Sequence, residues 1–262
     1  MDKSLVQDAN SGPVSQLSNS WNQVARLDAL GVVLSERRKP HGTWPVEEFF
    51  STGEVVVNSV LGRCRELGVA IPCTRALDFG CGVGRLTRAF ASRFSECVGV
   101  DVSFEMVSQA RELNREISNC EFLVNDSPKL PFPAESFDFV SSFIVLQHIH
   151  TEQEILNWIM EFVRVLIPGG VVVFQLPDRP SLRRRIQGRR RLWSVLSVLG
   201  LKEQLLYEKL GLTPVKMNGV SRDRVEHTLR SAGAKIEAVD PDSLAGVGYR
   251  SYTYIGIKRE TR

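Results

Sequence analysis

Cysteine is scarce and scattered in this 262-residue chain. The five residues, Cys64, Cys73, Cys81, Cys97 and Cys120, are odd in number and lack metal-ligand spacing, which argues against both a disulfide framework and a zinc site. They point to a reducing, cytoplasmic setting. No apolar run approaches the roughly 20 residues that a membrane-spanning helix needs, and Met1 to Ser20 has neither the basic start nor the apolar core of a signal peptide. Charge of a single sign is missing too: 33 basic and 30 acidic residues leave +3, and no stacking aromatics alternate with the arginines, so nucleic acid is not the expected partner. Internal repeats are absent, and histidine occurs only as His41, His148, His150 and His227. What is present is the composition of an ordinary globular chain, long enough for a sizeable core.

The most informative stretch is Ala76 to Thr87, ALDFGCGVGRLT. An apolar strand carrying Asp78 runs into Gly80, Gly82 and Gly84 and then opens an amphipathic helix. Glycines at such a place let the backbone approach a ligand closely, outside the carboxyl end of a strand, where open α/β sheets bind ligands. A dinucleotide fingerprint wants a third glycine where Arg85 stands, and a P-loop wants a Gly-Lys-Ser/Thr ending; neither is there. Asp78, read as lying at the mouth of the loop, would repel a pyrophosphate and attract an ammonium. The loop therefore suits a cofactor with an amino-acid head and no phosphate. Taken alone, the three glycines also fit a tight strand-to-helix turn.

Further segments follow in order. After helix Leu86 to Arg93 comes an apolar strand, Cys97 to Val100, ending in Asp101; a third strand, Glu121 to Val124, leads into Asn125-Asp126-Ser127-Pro128. A fourth, Phe137 to Ser142, runs into Phe143-Ile144-Val145-Leu146-Gln147-His148, and Pro168-Gly169-Gly170 precedes a buried strand, Val171 to Leu176. This succession resembles the class I S-adenosylmethionine-dependent methyltransferases over about a hundred residues. The resemblance implies a Rossmann-like, doubly wound α/β fold with seven strands in the order 3-2-1-4-5-7-6, the last antiparallel. It implies S-adenosyl-L-methionine as cofactor, held by Asp78, Gly80, Cys81, Gly82 and Gly84, by Asp101, Val102 and Met106, and by Asn125, Asp126 and Ser127. In this reading Asp101 takes the ribose diol and Asp126 the adenine amino group. Individually, Asp101 equally fits a cap for the helix beginning near Ser103, and Asp126 an ordinary turn residue.

Methyl transfer from a sulfonium is an in-line displacement in which the protein mostly positions and desolvates two reactants. An oxygen acceptor also needs a base, and a histidine suits neutral pH. His148 is the first candidate and His150 the second, because both fall just beyond the fourth strand. The competing account is structural: Thr151 and Glu154 form a Thr-x-x-Glu capping box for helix Glu152 to Val165, beside which the histidines could serve packing alone. Tyr249, Tyr252 and Tyr254 are weaker candidates, the last two sharing one strand face. The region after the fourth strand lacks the Asn/Asp-Pro-Pro-aromatic run of enzymes acting on exocyclic amines and holds no Pro-Cys pair to offer a thiolate, and no paired ligands for a catechol-positioning metal are evident. The expected acceptor is a small molecule, a sugar or a lipid-linked compound, methylated at oxygen. Nitrogen or carbon methylation and a non-catalytic scaffold remain as alternatives.

The chain divides by this reading into a flexible start (1–20), a helical cap (21–68) and the methyltransferase domain (69–262). In the cap, Trp21, Val24 and Leu27 show helical spacing, and Trp44, Phe49 and Phe50 read as core first and pocket lining second. A helical insertion spans about 178–219. Its Asp178 to Lys216 stretch holds ten basic and three acidic residues, a net +7 that leaves −4 for the rest. Arg183 to Arg191, with the apolar Leu192, Trp193, Leu196, Leu199 and Leu205, reads either as a basic lid facing an anionic acceptor or membrane surface, or as a solvated hairpin packed on the domain. A helix from Val220 to Gly233 and strands Lys235 to Val239 and Tyr252 to Lys258 complete the pattern.

Overall fold

Short apolar runs bounded by turn residues become a seven-stranded sheet in the computed structural model, which describes residues 13–34, 44–180, 187–212, 214–246 and 248–260. The strands are β1 (Arg75–Phe79), β2 (Glu96–Asp101), β3 (Cys120–Val124), β4 (Phe137–Ser142), β5 (Leu166–Pro177), β6 (Ala234–Asp242) and β7 (Ser251–Lys258). Their order is β3-β2-β1-β4-β5-β7-β6, with β7 antiparallel to both β5 and β6 and the other pairs parallel. The expected order is the observed one. The Pro168-Gly169-Gly170 turn lies inside β5, where pairing with β4 jumps from Phe137↔Leu166 to Phe139↔Val171 and the intervening residues loop out.

Two helical layers cover the sheet because its central strands are apolar on both faces, as parallel strands buried between helices must be. On one side α5 (Glu152–Val165) and α8 (Arg222–Ser231) pack on Leu77, Phe79, Val98, Val100, Val172 and Phe174. On the other, α2 (Val46–Glu66) and α3 (Arg85–Ala91) bury Val57, Leu61, Leu86 and Phe90 against Ala76, Phe139 and Val173. The capping box of α5 is present in full: Glu154 N–H donates to Thr151 Oγ1, and Thr151 N–H donates to Glu154 Oε2. At the outer edge, α4 (Phe104–Leu113) follows β2, capped by Ser103 Oγ accepting from Met106 N–H.

Helix α1 (Pro13–Val33) begins inside the stretch expected to be flexible, and its Val24, Ala25 and Ala29 are buried. Its apolar positions find a partner in the cluster that holds Phe49, Phe50, Val83 and Met106, a long-range contact that no local composition reveals. Helices α6 (Gly188–Val198) and α7 (Glu203–Glu208) form the insertion. Of the residues singled out in the sequence, Met1 to Gly12, His41 and Arg183 to Arg185 fall outside the described residues.

Candidate active site

A cavity of about 1240 Å³, counted out to its open mouth, lies at the carboxyl edge of β1, β2 and β4. Three groups of the expected residues meet there: Gly80 and Gly82 from the loop, Asp101, Val102 and Met106 from the end of β2 and the start of α4, and Asn125 and Ser127 after β3. His148 and His150 line it as well, with Trp21 of α1 and Trp158 of α5.

The loop is built around close approach. Gly80 has φ +75°, its N–H donates to Val100 O at 2.7 Å, and a Cβ on it would overlap the Val145 side chain. Asp101 holds this geometry from the next strand: Oδ2 accepts from Gly82 N–H and Oδ1 from Ser103 N–H, each at 2.9 Å. Burial raises the Asp101 carboxyl above its ordinary pKa, and those backbone donors oppose the rise. A carboxylate has about four acceptor positions, so two remain for a diol.

Four expected contacts do not line the cavity. Asp78 is turned away from the mouth, because its strand alternates and its side chain enters the α3 layer. There it accepts from Thr87 Oγ1 at 2.7 Å and Ser141 Oγ at 3.4 Å. Burial pushes its carboxyl up to about 6, against the pull of those hydroxyls and of Arg85. Cys81 points into a cluster with Val107, Ala110 and Phe122, and Gly84 backs onto Asn114 and Phe122. Asp126 is exposed; its neighbour Asn125 faces inward instead, buried and with Nδ2 lacking a hydrogen-bond partner.

Arg85 was legible only as a missing glycine, yet it lines the cavity. It is 5 % exposed, its Nη1 donates to Thr52 Oγ1 at 3.3 Å, and its Nε has no partner. Burial lowers its pKa while Asp78 raises it. The one available signal was a cation in the first turn of a helix, where the dipole disfavours it unless an anion is near. Ile144 was also missed. It is a β-branched residue at φ +61°, costly to hold there, and its N–H donates to Oε1 of the buried Gln175 at 3.1 Å. Gln175 in turn donates to Ser251 Oγ at 2.6 Å, so β5 and β7 fix the cavity wall.

The half-buried His148 is held in one tautomer. Its Nδ1 lies 2.8 Å from Lys216 O, and since a carbonyl only accepts, Nδ1 carries the proton. Nε2 is then the basic nitrogen, in a long 3.3 Å contact with the Gln147 amide, while Trp21 meets the ring edge-on at 5.1 Å. Burial lowers the His148 pKa to about 4, opposed by the Lys216 carbonyl. His150 is lowered as well, by burial first and then by Lys216. Tyr252 and Tyr254 lie away from the cavity, Tyr254 fully buried and stacked on Phe174. Phe49, Phe50 and Trp44 belong to the core cluster beneath α1. Among the described residues no cluster of three or more His, Cys, Asp or Glu could hold a metal ion.

The residues fit a cofactor with an amino-acid head, a ribose and a purine. Arg85 has an unused donor for a carboxylate, Asp101 has free acceptor positions for a diol, and Asn125 has an unused amide donor.

Comparison with known proteins agrees with this geometry. Residues 77–174 match a family described as "Methyltransferase domain". The malonyl-[acyl-carrier protein] O-methyltransferase of Salmonella typhimurium is 38 % identical over 106 residues, covering 40 % of each chain. The ubiquinone/menaquinone biosynthesis C-methyltransferase of Ectopseudomonas mendocina is 34 % identical over 128 residues, 45 % of this chain and 49 % of that one. The 2-methyl-6-phytyl-1,4-hydroquinone methyltransferase of Synechocystis is 30 % identical over 134 residues, 51 % and 41 % of the two chains. The match thus spans about half or less of these relatives' length. Among solved structures, magnesium protoporphyrin IX methyltransferase from Synechocystis with bound SAH shares the fold at a TM-score of 0.62 and 18 % identity, over 95 % of this chain and 100 % of that one. Residues 77–174 thus match a methyltransferase-domain family, and the glycine loop and the sheet order are those of the class I S-adenosylmethionine-dependent methyltransferases, to which this chain is similar.

Proposed function

We propose that this protein binds S-adenosyl-L-methionine in the loop half of the cavity and transfers its methyl group to an oxygen of a small acceptor with an apolar body. The observation that carries the reading is the convergence on one cavity of Asp101, Asn125 and Arg85, each with unused hydrogen-bonding capacity. When bound, the cofactor supplies a methyl carbon on a sulfonium, already activated for in-line displacement. Arg85 holds the carboxylate end, Asp101 the ribose hydroxyls and Asn125 the purine. The remaining walls, with Leu17, Trp21, Phe143, Ile144, Ile149 and Trp158, exclude water from the acceptor half. Such a lining favours an apolar acceptor over a sugar.

His148 accepts the proton. The hydroxyl proton released as the acceptor oxygen is methylated would pass to Nε2 of His148. A base with a pKa of about 4 suffices, because an alkylated hydroxyl is a far stronger acid than imidazolium. The Lys216 carbonyl keeps Nε2 unprotonated and aimed. Carbon methylation of a phenolic ring is the second reading, favoured by the two relatives named for quinone and hydroquinone methylation; the same base would take the phenol proton.

Calorimetric titration with S-adenosylmethionine and S-adenosylhomocysteine tests the cofactor assignment. Binding should weaken about 100-fold or more in Asp101→Ala, the equivalent of two hydrogen bonds to a charged group at about 1.5–3 kcal/mol each. No binding to the folded wild-type protein would overturn the proposal.

A further inference from the structure

An outward helix face in a globular protein is normally polar. The insertion breaks this rule. Of the twelve large apolar side chains exposed among the described residues, six lie between positions 192 and 210: Leu192, Val195, Val198, Leu199, Leu205 and Leu210. The first four are spaced i, i+3, i+6 and i+7, so they form one stripe along α6 and its C-terminal end. Val198 is 88 % exposed and Leu199 70 %. The stripe is not needed to hold the insertion down, because the opposite face does that: Trp193, Leu206, Tyr207 and Leu212 are buried together, with Leu27 of α1 against them.

Charge identifies the partner. Residues 188–216 hold six basic and two acidic side chains. Arg191 stands exposed on the same side as Val195 and Val198, and among the described residues none of Arg189, Arg190 and Arg191 is ion-paired to a carboxylate; Arg189 and Arg190 donate to the Gly211 and Pro214 carbonyls. A second copy of the chain would bring two such positive faces together, which opposes self-pairing. A protein partner would be met by aromatic anchors, but Trp193 and Tyr207 are turned inward and the exposed residues are aliphatic. Aliphatic side chains beside exposed arginines match an interfacial helix on an anionic bilayer.

We propose that α6 and α7 dock this protein on the surface of a membrane containing anionic lipids, with the apolar stripe entering the acyl boundary and Arg191 among the headgroups. The placement has a consequence for the cavity. Lys216 and Asn218, which follow the insertion, hydrogen-bond the backbone carbonyls of His150 and of Ile149 and His150, respectively, and His148 is tied to Lys216 O. The segment that follows α7 therefore braces the cavity wall. The docking itself does not depend on the methyl-transfer reading.

The test is flotation of the full chain with vesicles of phosphatidylcholine alone or mixed with phosphatidylglycerol. Wild-type protein should bind the mixed vesicles at low salt, release at high salt, and pass over the neutral ones. The combined variant Leu192→Ser, Val195→Ser, Val198→Ser and Leu199→Ser should bind about tenfold more weakly or worse, and so should Arg191→Glu, with melting temperature and cofactor titration unchanged. Should the serine variant fail to fold, Arg191→Glu carries the test. The proposal is overturned by no retention at low salt, by equal retention on neutral vesicles, or by variants that bind as wild type. Self-association that these variants abolish without any vesicle binding would assign the face to a second copy, and binding of polyglutamate without vesicles would assign it to an acidic protein; either overturns the lipid assignment.

Discussion

Replacing Asp78 by Asn removes a charge that the fold carries at a cost. Its carboxyl sits behind the glycine loop at 3 % exposure, and burial raises it from 3.8 to about 6. The folded protein therefore holds this proton more tightly than the unfolded chain does. Stability from the group is fully present below about pH 4 and is lost as pH rises toward and through 6. At about 1.36 kcal/mol per unit, the loss levels off at about 3 kcal/mol. Asn has nearly the same shape, and its Oδ1 can still accept from Thr87 Oγ1. Urea denaturation of both proteins from pH 4 to pH 8 should show nearly equal stability at the acid end, with the Asn variant more stable by about 3 kcal/mol above pH 7. Cofactor affinity should change little, since Asp78 does not line the cavity. A difference that stays flat across this range, or an Asn variant that is the less stable of the two at pH 7.5, would refute the reasoning.

Two further outcomes test the loop and the base. Gly80→Ala should destabilise by about 2–5 kcal/mol, the sum of about 1–2 for a left-handed backbone and about 1–3 for overlap with Val145, read as a drop in thermal midpoint; a loss under about 1 kcal/mol would contradict the geometry. His148→Ala should lower kcat by about 10²- to 10⁴-fold while leaving the cofactor Kd unchanged. Because burial depresses the histidine to about 4, wild-type kcat/KM should show no His148-dependent fall between pH 8 and about pH 5. An acid limb near pH 6.5 that disappears in the variant would show a solvent-exposed histidine instead.

The sequence by itself determined the scaffold of this site. Short apolar runs ending in glycine or aspartate placed the loop, Asp101 and the segment after β3 at one sheet edge, and the family resemblance carried the strand order. The α5 capping box was legible because its two residues are three apart and act locally. Direction was another matter. In β1 both faces are buried, so alternation alone could not tell whether Asp78 looks toward the ligand or into the α3 layer; the packing of α3 on Ala76, with its Thr87 Oγ1 donating to Asp78, decided it. Asn125 and Asp126 are adjacent, and the path of the loop after β3, set by neighbouring strands, turned the amide inward and the carboxylate out. The tautomer of His148 depends on a carbonyl 68 residues away. Helix α6 is apolar on two sides, and only the docking of Trp193 with Leu206 and Leu27 left Leu192, Val195 and Leu199 facing outward. Local pattern sets which residues share a strand or a helix, because that periodicity is a property of the backbone. Which face meets a ligand, a core or a membrane depends on contacts between segments distant in sequence, and these exist only in the folded chain.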